Sequence, residues 1–360
     1  MRKGLLKFIA VLMLVPILIL SGCGKDKTEK QVEKPKTITL VDNVGRKVEL
    51  PHPVKKAVVA NRYNSELIRA CGAIDGVIAV DMGTAQDREY WKKFDPKNTI
   101  GKGATDLNYE KIAQLGAEVL ILPANGSYKE AEKKLEPFGI KVFVISGYDT
   151  GDFKNQVTNI GKMFDKEKGA EKFIKYFNEP IEYIKTALKD VKKKTVYFES
   201  TTEYNTSFPG DYYANMINYS GGVNIFEDAT KDMHGKKVDS EEVIKRNPDF
   251  IFKNVTPDKA IKGTGLYEAP SKELMEKTIE NIKKRPGWDE IKAVKNNNVY
   301  TMSQFGHGGA SKLIGAVYMA KWMYPEQLKD LDPDEIYRQW LEDFQGFKNL
   351  KGHFYPEIKK

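Results

Sequence analysis

Histidine and arginine side chains between apolar runs are the first candidates for chemistry in this sequence. The imidazoles of His234 and His307 can ligate a metal ion or cap a metal chelate. Arg62 is the second residue after the apolar run at residues 57–60, where a fixed cation can face an anionic ligand. A loop histidine or a surface arginine is also often only solvated, so the residue types leave a purely structural interpretation open for all three.

Aromatic side chains accompany these polar residues. Tyr204, Phe208 and Tyr212 crowd one short segment and can form an apolar wall against a flat or aromatic ligand. Part of this aromatic group is expected to be ordinary core packing. The complete set of candidate ligand contacts is Arg62, Tyr63, Tyr148, Tyr204, Phe208, Tyr212, His234 and His307.

Catalytic motifs are missing from the sequence. It contains no GxSxG elbow, no HExxH zinc helix, no GxxxxGK[ST] loop and no GxGxxG fingerprint. We therefore predict that the protein is not an enzyme and has no catalytic residue, no cofactor and no metal ion of its own. Two other classes stay open: a metal-dependent surface hydrolase that uses His234 and His307, and a structural or adhesive surface protein without a ligand.

Short apolar runs alternate with amphipathic segments along the chain, which predicts an α/β fold with mostly parallel sheets. Strands are predicted at residues 57–60, 77–80, 119–122, 141–145, 195–198, 250–253 and 299–302, with a hairpin at 37–51. Helices are predicted at residues 65–71, 109–115, 129–138, 153–164, 212–219, 240–246, 272–283, 310–323 and 332–344. Ligands of open α/β sheets lie beyond the carboxyl ends of the strands, so the loops that carry the candidate contacts are expected to face a cleft.

The longest amphipathic segment, residues 165–191, is predicted to join the two halves of the chain. Its apolar residues recur every three or four positions, which is the period of one helix face. We expect Asp165 to be the N-cap and Pro180 to kink the helix. The predicted architecture is two Rossmann-like lobes, residues 37–164 and 192–360, joined by this single long α-helix.

The N-terminal segment predicts the compartment. Basic residues precede an apolar run at residues 8–20, which is too short for a membrane span and fits a secretory signal. Leu20-Ser21-Gly22-Cys23 resembles the lipobox of bacterial lipoproteins, with an ordinary signal and a chance cysteine as the alternative. The resemblance implies that residues 1–22 are removed, that Cys23 is acylated, and that residues 23–36 form a flexible tether above the membrane. The net charge is +8, but positive and negative residues are interspersed along the chain, which argues against a nucleic-acid partner.

One short pattern occurs in both halves of the chain. Asn108-Tyr109-Glu110 and Asp239-Ser240-Glu241 each begin a predicted helix that leads, at the same spacing, into a predicted strand. An acid in the first turn of a helix interacts favourably with the helix dipole. On the spacing alone, a structural role for Glu110 and Glu241 is therefore the simpler explanation.

Several segments resemble the substrate-binding lipoproteins of ABC importers for ferric siderophores, haem and cobalamin. Besides the lipobox, the matching segments are VDNVGRKVELP, LNYEKIAQLGAEVLIL, MINYSGGVNIFED, VDSEEVIKRNPDFIF and PGWDEIKAVKNNNVYTM. The resemblance implies two α/β lobes joined by one long helix. It also implies that Glu110 and Glu241 dock on arginines of a membrane permease.

The resemblance further implies a monomeric receptor, anchored by lipid on the extracytoplasmic face of the cell membrane, that delivers a metal chelate to an ABC permease. An iron–siderophore complex is the ligand that we expect from the cation at Arg62 and the neighbouring aromatic residues. Haem, cobalamin and a nickel or cobalt chelate are the alternatives, and the sequence does not rank them firmly.

Overall fold

Two mostly parallel β-sheets, one in each half of the chain, form the framework of the computed structural model. The structure describes residues 36–230, 237–257, 267–348 and 351–358. Cys23, His234, the predicted signal and residues 23–35 of the predicted tether lie outside these residues. Within the described ranges, no helix is both long enough and apolar enough to cross a membrane.

The predicted strands lie close to their predicted positions, and four short strands, β5, β6, β10 and β13, were not predicted. They are β1 Thr37–Val41, β2 Lys47–Pro51, β3 Ala57–Val59, β4 Val77–Val80, β5 Gly101–Gly103, β6 Asp106–Leu107, β7 Val119–Leu122, β8 Lys141–Val144, β9 Thr195–Glu199, β10 Val223–Asn224, β11 Phe250–Val255, β12 Val299–Ser303 and β13 Phe354–Tyr355. β1 and β2 form the predicted antiparallel hairpin.

The helices connect these strands and cover the sheets. They are α1 Arg62–Ala70, α2 Met82–Ala85, α3 Tyr109–Gln114, α4 Tyr128–Leu135, α5 Phe153–Phe164, α6 Glu167–Ala187, α7 Tyr212–Tyr219, α8 Ser240–Arg246, α9 Lys272–Lys283, α10 Lys292–Lys295, α11 Lys312–Met323 and α12 Pro333–Gln339. A π-helical turn at Trp340–Gln345 continues α12.

The two large sheets repeat one strand order. The first sheet runs β4-β3-β7-β8, and all of its neighbouring strands are parallel. The second runs β10-β9-β11-β12-β13, with an antiparallel edge strand only at β13. In both sheets the first strand of the set lies between the second and the third, as expected if the halves are versions of one unit. The predicted α/β fold class is confirmed.

The side-chain alternation of the strands divides the apolar core into clusters. In the second sheet, Phe198 and Phe252 face one cluster while Tyr197 and Ile251 face another, because successive residues of a strand point to opposite faces. The largest cluster contains buried side chains from both halves of the chain, including those of α6. The inner faces of the two sheets therefore share one continuous apolar core.

The long helix α6 is shorter than the predicted segment 165–191. It spans 21 residues, contains Pro180 and buries Phe173, Phe177 and Ile184. The prediction that Asp165 caps this helix is wrong: Asp165 ends α5 in the left-handed conformation, with φ of 57°. The residue before α6 is Lys166, and its side chain makes no capping hydrogen bond. The tight turn between α5 and α6 explains the difference, because Asp165 is used to stop one helix rather than to start the next.

Candidate functional site

Loops that follow strands of both sheets meet beside Tyr63. A Cβ added to Gly308 would lie 2.5 Å from Cε1 of Tyr63, and one added to Gly309 would lie 2.8 Å from Cδ1. These glycines let the loop after β12 approach α1 closely enough for ring-to-backbone contact. The ammonium group of Lys312, at the start of α11, donates a hydrogen bond to the carbonyl oxygen of Tyr148, which follows β8. Arg62, Tyr63, Tyr148 and His307 are therefore brought to one place, which we call the interlobe site.

Arg62 begins α1 and lies against Tyr63. The N-cap residue Asn61 accepts a hydrogen bond from the Tyr63 amide at 2.9 Å, which fixes the start of this helix. The guanidinium of Arg62 donates to the Tyr63 hydroxyl at 3.0 Å and lies 4.8 Å from the ring centroid. Burial favours the neutral form of Arg62, but Tyr63, Tyr267 and Glu66 outweigh it, and the pKa of Arg62 is raised. Arg62 is thus a permanent cation at this position.

His307 lies beside two cations. Its ring centroid is 4.8 Å from that of Tyr213, at the start of α7. Burial, followed by the positive charges of Lys312 and Arg62, lowers the pKa of His307 to about 3. The imidazole is therefore neutral at physiological pH. Within the described part of the chain, its buried Nε2 has no hydrogen-bond partner.

Lys312 is the second cation of the interlobe site, and its side chain is almost fully buried at 1% exposure. Burial lowers the pKa of Lys312 to about 8, while the carboxylate of Asp149 acts in the opposite direction. Lys312 is therefore mostly charged at pH 7, and its charge is sensitive to mildly alkaline conditions. Sequence reasoning missed this residue, although a lysine at the start of the apolar helix α11 is visible in the sequence.

Glu66, one turn after Arg62 on α1, is a second residue that sequence reasoning missed. It is 2% exposed, and its Oε1 accepts a hydrogen bond from the hydroxyl of Tyr267. Burial raises the pKa of Glu66 to about 7, against the opposing effects of Tyr267, Arg62 and Arg69. An acid inside the mostly apolar stretch 65–71, which also contains Arg69, was the available signal.

The predicted aromatic wall after β9 is not a single surface. Phe208 is 0% exposed and packs against Phe226 in the core of the second sheet, so it offers no surface to a ligand. Tyr204 is partly buried, and the guanidinium of Arg285 lies 4.6 Å from its ring centroid. Tyr212 begins α7, but its side chain lies outside the described part of the structure. Tyr213, which was not in the predicted set, is the aromatic residue of this segment that contacts His307.

A buried ion network holds the segment that contains Tyr204. Arg285 donates two hydrogen bonds to the carboxylate of Glu199, at 2.8 and 2.9 Å, and the ammonium of Lys253 lies 2.9 Å from the same carboxylate. The amide of Tyr204 donates to Glu199 at 3.0 Å. Because Glu199 is 0% exposed and fully paired, this network is a structural anchor for the loop after β9.

Glu110 and Glu241 occupy the matching positions that the repeated sequence pattern predicted. Each lies in the first turn of its helix, α3 or α8, and each is exposed. The N-cap side chains differ in their partners: Asn108 accepts from the Lys111 amide at 2.9 Å, and Asp239 accepts from the Glu241 amide at 2.9 Å. Among the described residues, neither glutamate forms an ion pair, so both carboxylates are available to an external cation.

Among the described residues, no metal cluster marks the interlobe site. No group of three or more His, Cys, Asp or Glu side chains suited to a metal ion occurs among the described residues. A cavity of about 600 Å³ lies elsewhere, between α12 and the C-terminal segment, and includes Arg338 and Glu342 in its lining. That arginine is already paired with Glu335 and Glu342, so it offers no uncompensated charge to a ligand.

Comparisons with known proteins agree with this architecture. A family model described as periplasmic binding protein matches residues 58–304. The petrobactin-binding protein YclQ of Bacillus subtilis is 27% identical over 312 residues, which cover 83% of this chain and 90% of that protein. The probable siderophore-binding lipoprotein YfiY of the same organism is 24% identical over 330 residues, covering 89% and 96%. The molybdate-bound MolA of Haemophilus influenzae shares the fold, with a TM-score of 0.66, 18% identity, and coverage of 87% of this chain and 99% of that one.

Proposed function

This chain belongs to the periplasmic binding protein family, and its relatives include an ABC transporter substrate-binding lipoprotein. We propose that it binds an anionic metal chelate, a ferric siderophore, in the interlobe site. On this proposal no bond is made or broken. The protein presents fixed polar groups to a ligand and then delivers that ligand to a permease.

The charge of the interlobe site carries the proposal. Arg62 and Lys312 come from different halves of the chain, and after burial the positive charge of each helps to lower the pKa of His307. Asp149 offsets part of the charge of Lys312, and Glu66 offsets part of that of Arg62. An anionic ligand that contacts both cations would be attracted by each of them and would join the two lobes. A neutral ligand such as cobalamin would gain nothing from either charge.

Aromatic side chains around these cations suit the remainder of a chelate. The ring of Tyr213 lies 4.8 Å from that of His307, and the ring of Tyr63 lies 4.8 Å from the guanidinium of Arg62. Both tyrosines carry a hydroxyl that can bond to a ligand oxygen. Iron–siderophore complexes are often anionic and partly aromatic. The names of YclQ and YfiY support the same class of ligand.

A second candidate is haem or another chelate with an open coordination position. The observation that favours it is the Nε2 of His307, which is buried and has no hydrogen-bond partner in the described ranges. A neutral imidazole is the form that ligates metals. Arg62 and Lys312 count against a bare metal cation at this nitrogen, but not against an anionic complex.

We also propose that Glu110 and Glu241 bind arginines of the permease and that acylated Cys23 holds the protein at the membrane. Arginine grips carboxylates through two parallel hydrogen bonds, and both glutamates are exposed at corresponding positions of the two halves. The related lipoprotein names support membrane anchoring and an extracytoplasmic location.

Titration of the purified protein by tryptophan fluorescence would test the ligand class. The panel is a ferric tris(catecholate), a ferric tris(hydroxamate), haem, cobalamin, nickel–histidine and molybdate. We expect the parent protein to bind the anionic ferric complex most tightly. The Arg62→Ala variant should lose this preference. If haem or nickel–histidine binds and no ferric siderophore does, the siderophore assignment is wrong. Turnover of chromogenic esters or phosphates would instead favour the hydrolase.

A further inference from the structure

Glu66 is a buried acid whose carboxylate is only half satisfied. It is 2% exposed and lies on α1, four residues after Arg62, which places the two side chains on the same face of the helix. Its Oε1 accepts the hydroxyl of Tyr267. Its Oε2 is buried and has no hydrogen-bond partner among the described residues. A buried carboxylate oxygen without a donor strongly disfavours the ionised form.

The surrounding groups do not supply the missing donor. Arg69, on the same helix, donates to the carbonyl oxygens of Gln345 and Tyr90, at 3.2 and 2.9 Å. Gln345 donates to the backbone oxygen of Glu66, not to its carboxylate. The titratable and charged groups around the carboxylate and its partners are Arg62, Arg69, Tyr90, Tyr267, Asp87, Tyr337 and His353.

We propose that Glu66 sets the ligand charge that the interlobe site accepts, because its ionised form compensates Arg62 and its protonated form leaves Arg62 free to bind an anion. The inference rests on the proposed function, since it assumes that Arg62 contacts the ligand. Glu66 does not touch the ligand on this proposal and acts through Arg62, so it is a positioning residue for charge.

The pKa of Glu66 makes this effect relevant near pH 7. Burial raises the pKa of Glu66 to about 7 although Arg62 and Arg69 act in the opposite direction. An anion bound at Arg62 would remove part of that opposing charge and add its own negative charge, so Glu66 would hold its proton more tightly in the complex. Binding of an anion is then accompanied by proton uptake, and its affinity falls as the pH rises above 7.

The test compares the affinity of the purified parent at pH 6 and pH 8 for a hexadentate ferric tris(catecholate), which is anionic, and a ferric tris(hydroxamate), which is neutral. We expect the affinity of the parent for the catecholate to fall about tenfold between these values as Glu66 ionises. The affinity for the hydroxamate should stay constant. Lys312 also loses charge near pH 8, so the contribution of Glu66 is read as a difference between variants.

Glu66→Gln is the main variant, because glutamine keeps the size and the acceptor oxygen of Glu66 but cannot ionise. We expect it to retain the high affinity of pH 6 and to lose most of the fall toward pH 8. Glu171→Gln is the matched control, because Glu171 is an exposed acid on α6, and it should keep the pH dependence of the parent. An equal fall in Glu66→Gln and in the parent would overturn the inference, as would a parent whose catecholate affinity is constant.

Tyr267→Phe is a second variant that leaves Glu66 in place. The hydrogen bond from Tyr267 lowers the pKa of Glu66, so its removal should move the fall in affinity to higher pH. If the fall in affinity of Tyr267→Phe occurs at the same pH as in the parent, or at a lower pH, the inference is contradicted. This test does not depend on whether Glu66→Gln folds. If the parent binds neither ferric chelate at any pH, the proposed function itself is wrong, and that outcome differs from binding without pH dependence.

Discussion

At the level of single residues, burial brings several charges of the interlobe site close to their titration points. The same loss of solvent raises the pKa of the acid Glu66 to about 7 and lowers that of Lys312 to about 8. It also keeps His307 neutral. Arg62 remains a cation throughout, since guanidinium does not deprotonate in proteins. The net charge of this site is therefore set by its neighbours rather than by Arg62 itself.

Arg62→Ala tests the contribution of that permanent cation. We expect the substitution to weaken binding of an anionic ferric chelate by about 1.5–3 kcal/mol, which is typical for a hydrogen bond to a charged group. Binding of a neutral chelate should change much less. Arg338→Ala is the control, because Arg338 is an exposed arginine paired with Glu335 and Glu342. Equal losses for anionic and neutral ligands would mean that Arg62 serves only to hold Tyr63 in place.

His307 should make the folded protein less stable in acid. The pKa of His307 is about 3 when folded and near 6.5 when exposed, so the unfolded chain binds the proton first as the pH falls. Between pH 6.5 and 3 this removes up to about 1.4 kcal/mol of unfolding free energy for each pH unit. Urea unfolding at pH 7 and pH 4.5 should show a smaller loss in His307→Gln than in the parent. An equal loss of unfolding free energy in both proteins would contradict the conclusion that the imidazole of His307 is neutral in the folded protein.

At the level of elements, the sequence pattern predicted the framework well. Helices α5, α7, α8 and α9 have the predicted ends, because each combines a clear apolar face with an adjacent turn signal. The strands β3, β7 and β11 were identified from short apolar runs. The helix α6 was predicted too long, since its apolar period continues through Leu188 and Val191 although the backbone has already left the helix.

The candidate site was less predictable than the framework. Position after a strand identified Arg62 and His307, because the carboxyl ends of parallel strands meet at one edge. Phe208 lies after a strand as well but turns into the core, and nothing in its spacing distinguishes the two outcomes. Glu66 and Lys312 become part of the site through contacts between residues 201 and 164 positions apart, and local periodicity carries no information on such contacts.

Gly169→Ala tests the packing of α6 against the end of α1. A Cβ at this position would lie 2.2 Å from the carbonyl oxygen of Cys71, a backbone atom that cannot rotate away. We expect a loss of about 1–3 kcal/mol in the free energy of unfolding, measured in urea, because the two helices must separate. Lys168→Ala changes the neighbouring exposed residue of α6 and should change stability by less than about 0.5 kcal/mol. Similar values for both variants would show that α6 shifts without strain.

At the level of the whole molecule, the two halves repeat one unit but contribute different groups to the interlobe site. The first half supplies Arg62 and Tyr63 and the second supplies His307 and Lys312, while Glu110 and Glu241 remain at equivalent exposed positions. A repeated framework thus keeps the proposed docking positions alike in both halves and lets the interlobe site vary. On the proposed function, ligand specificity and permease recognition can be changed separately.

Glu110→Ala combined with Glu241→Ala tests this separation. We expect the double variant to bind ligand like the parent and to fail in uptake through the permease, because the arginine partners lose both carboxylates. Each substitution removes a first-turn acid, so each should lower stability by no more than about 1 kcal/mol.

Glu130→Ala combined with Glu273→Ala is the matched control, because these exposed acids occupy the first turns of α4 and α9. The control has the same change in charge and the same loss of helix-dipole interaction, and it should support normal uptake of a radiolabelled ferric chelate by whole cells. Normal uptake by the Glu110 and Glu241 variant as well would mean that both residues only stabilise their helices. Failure of uptake in both double variants would show that net charge matters rather than these two positions.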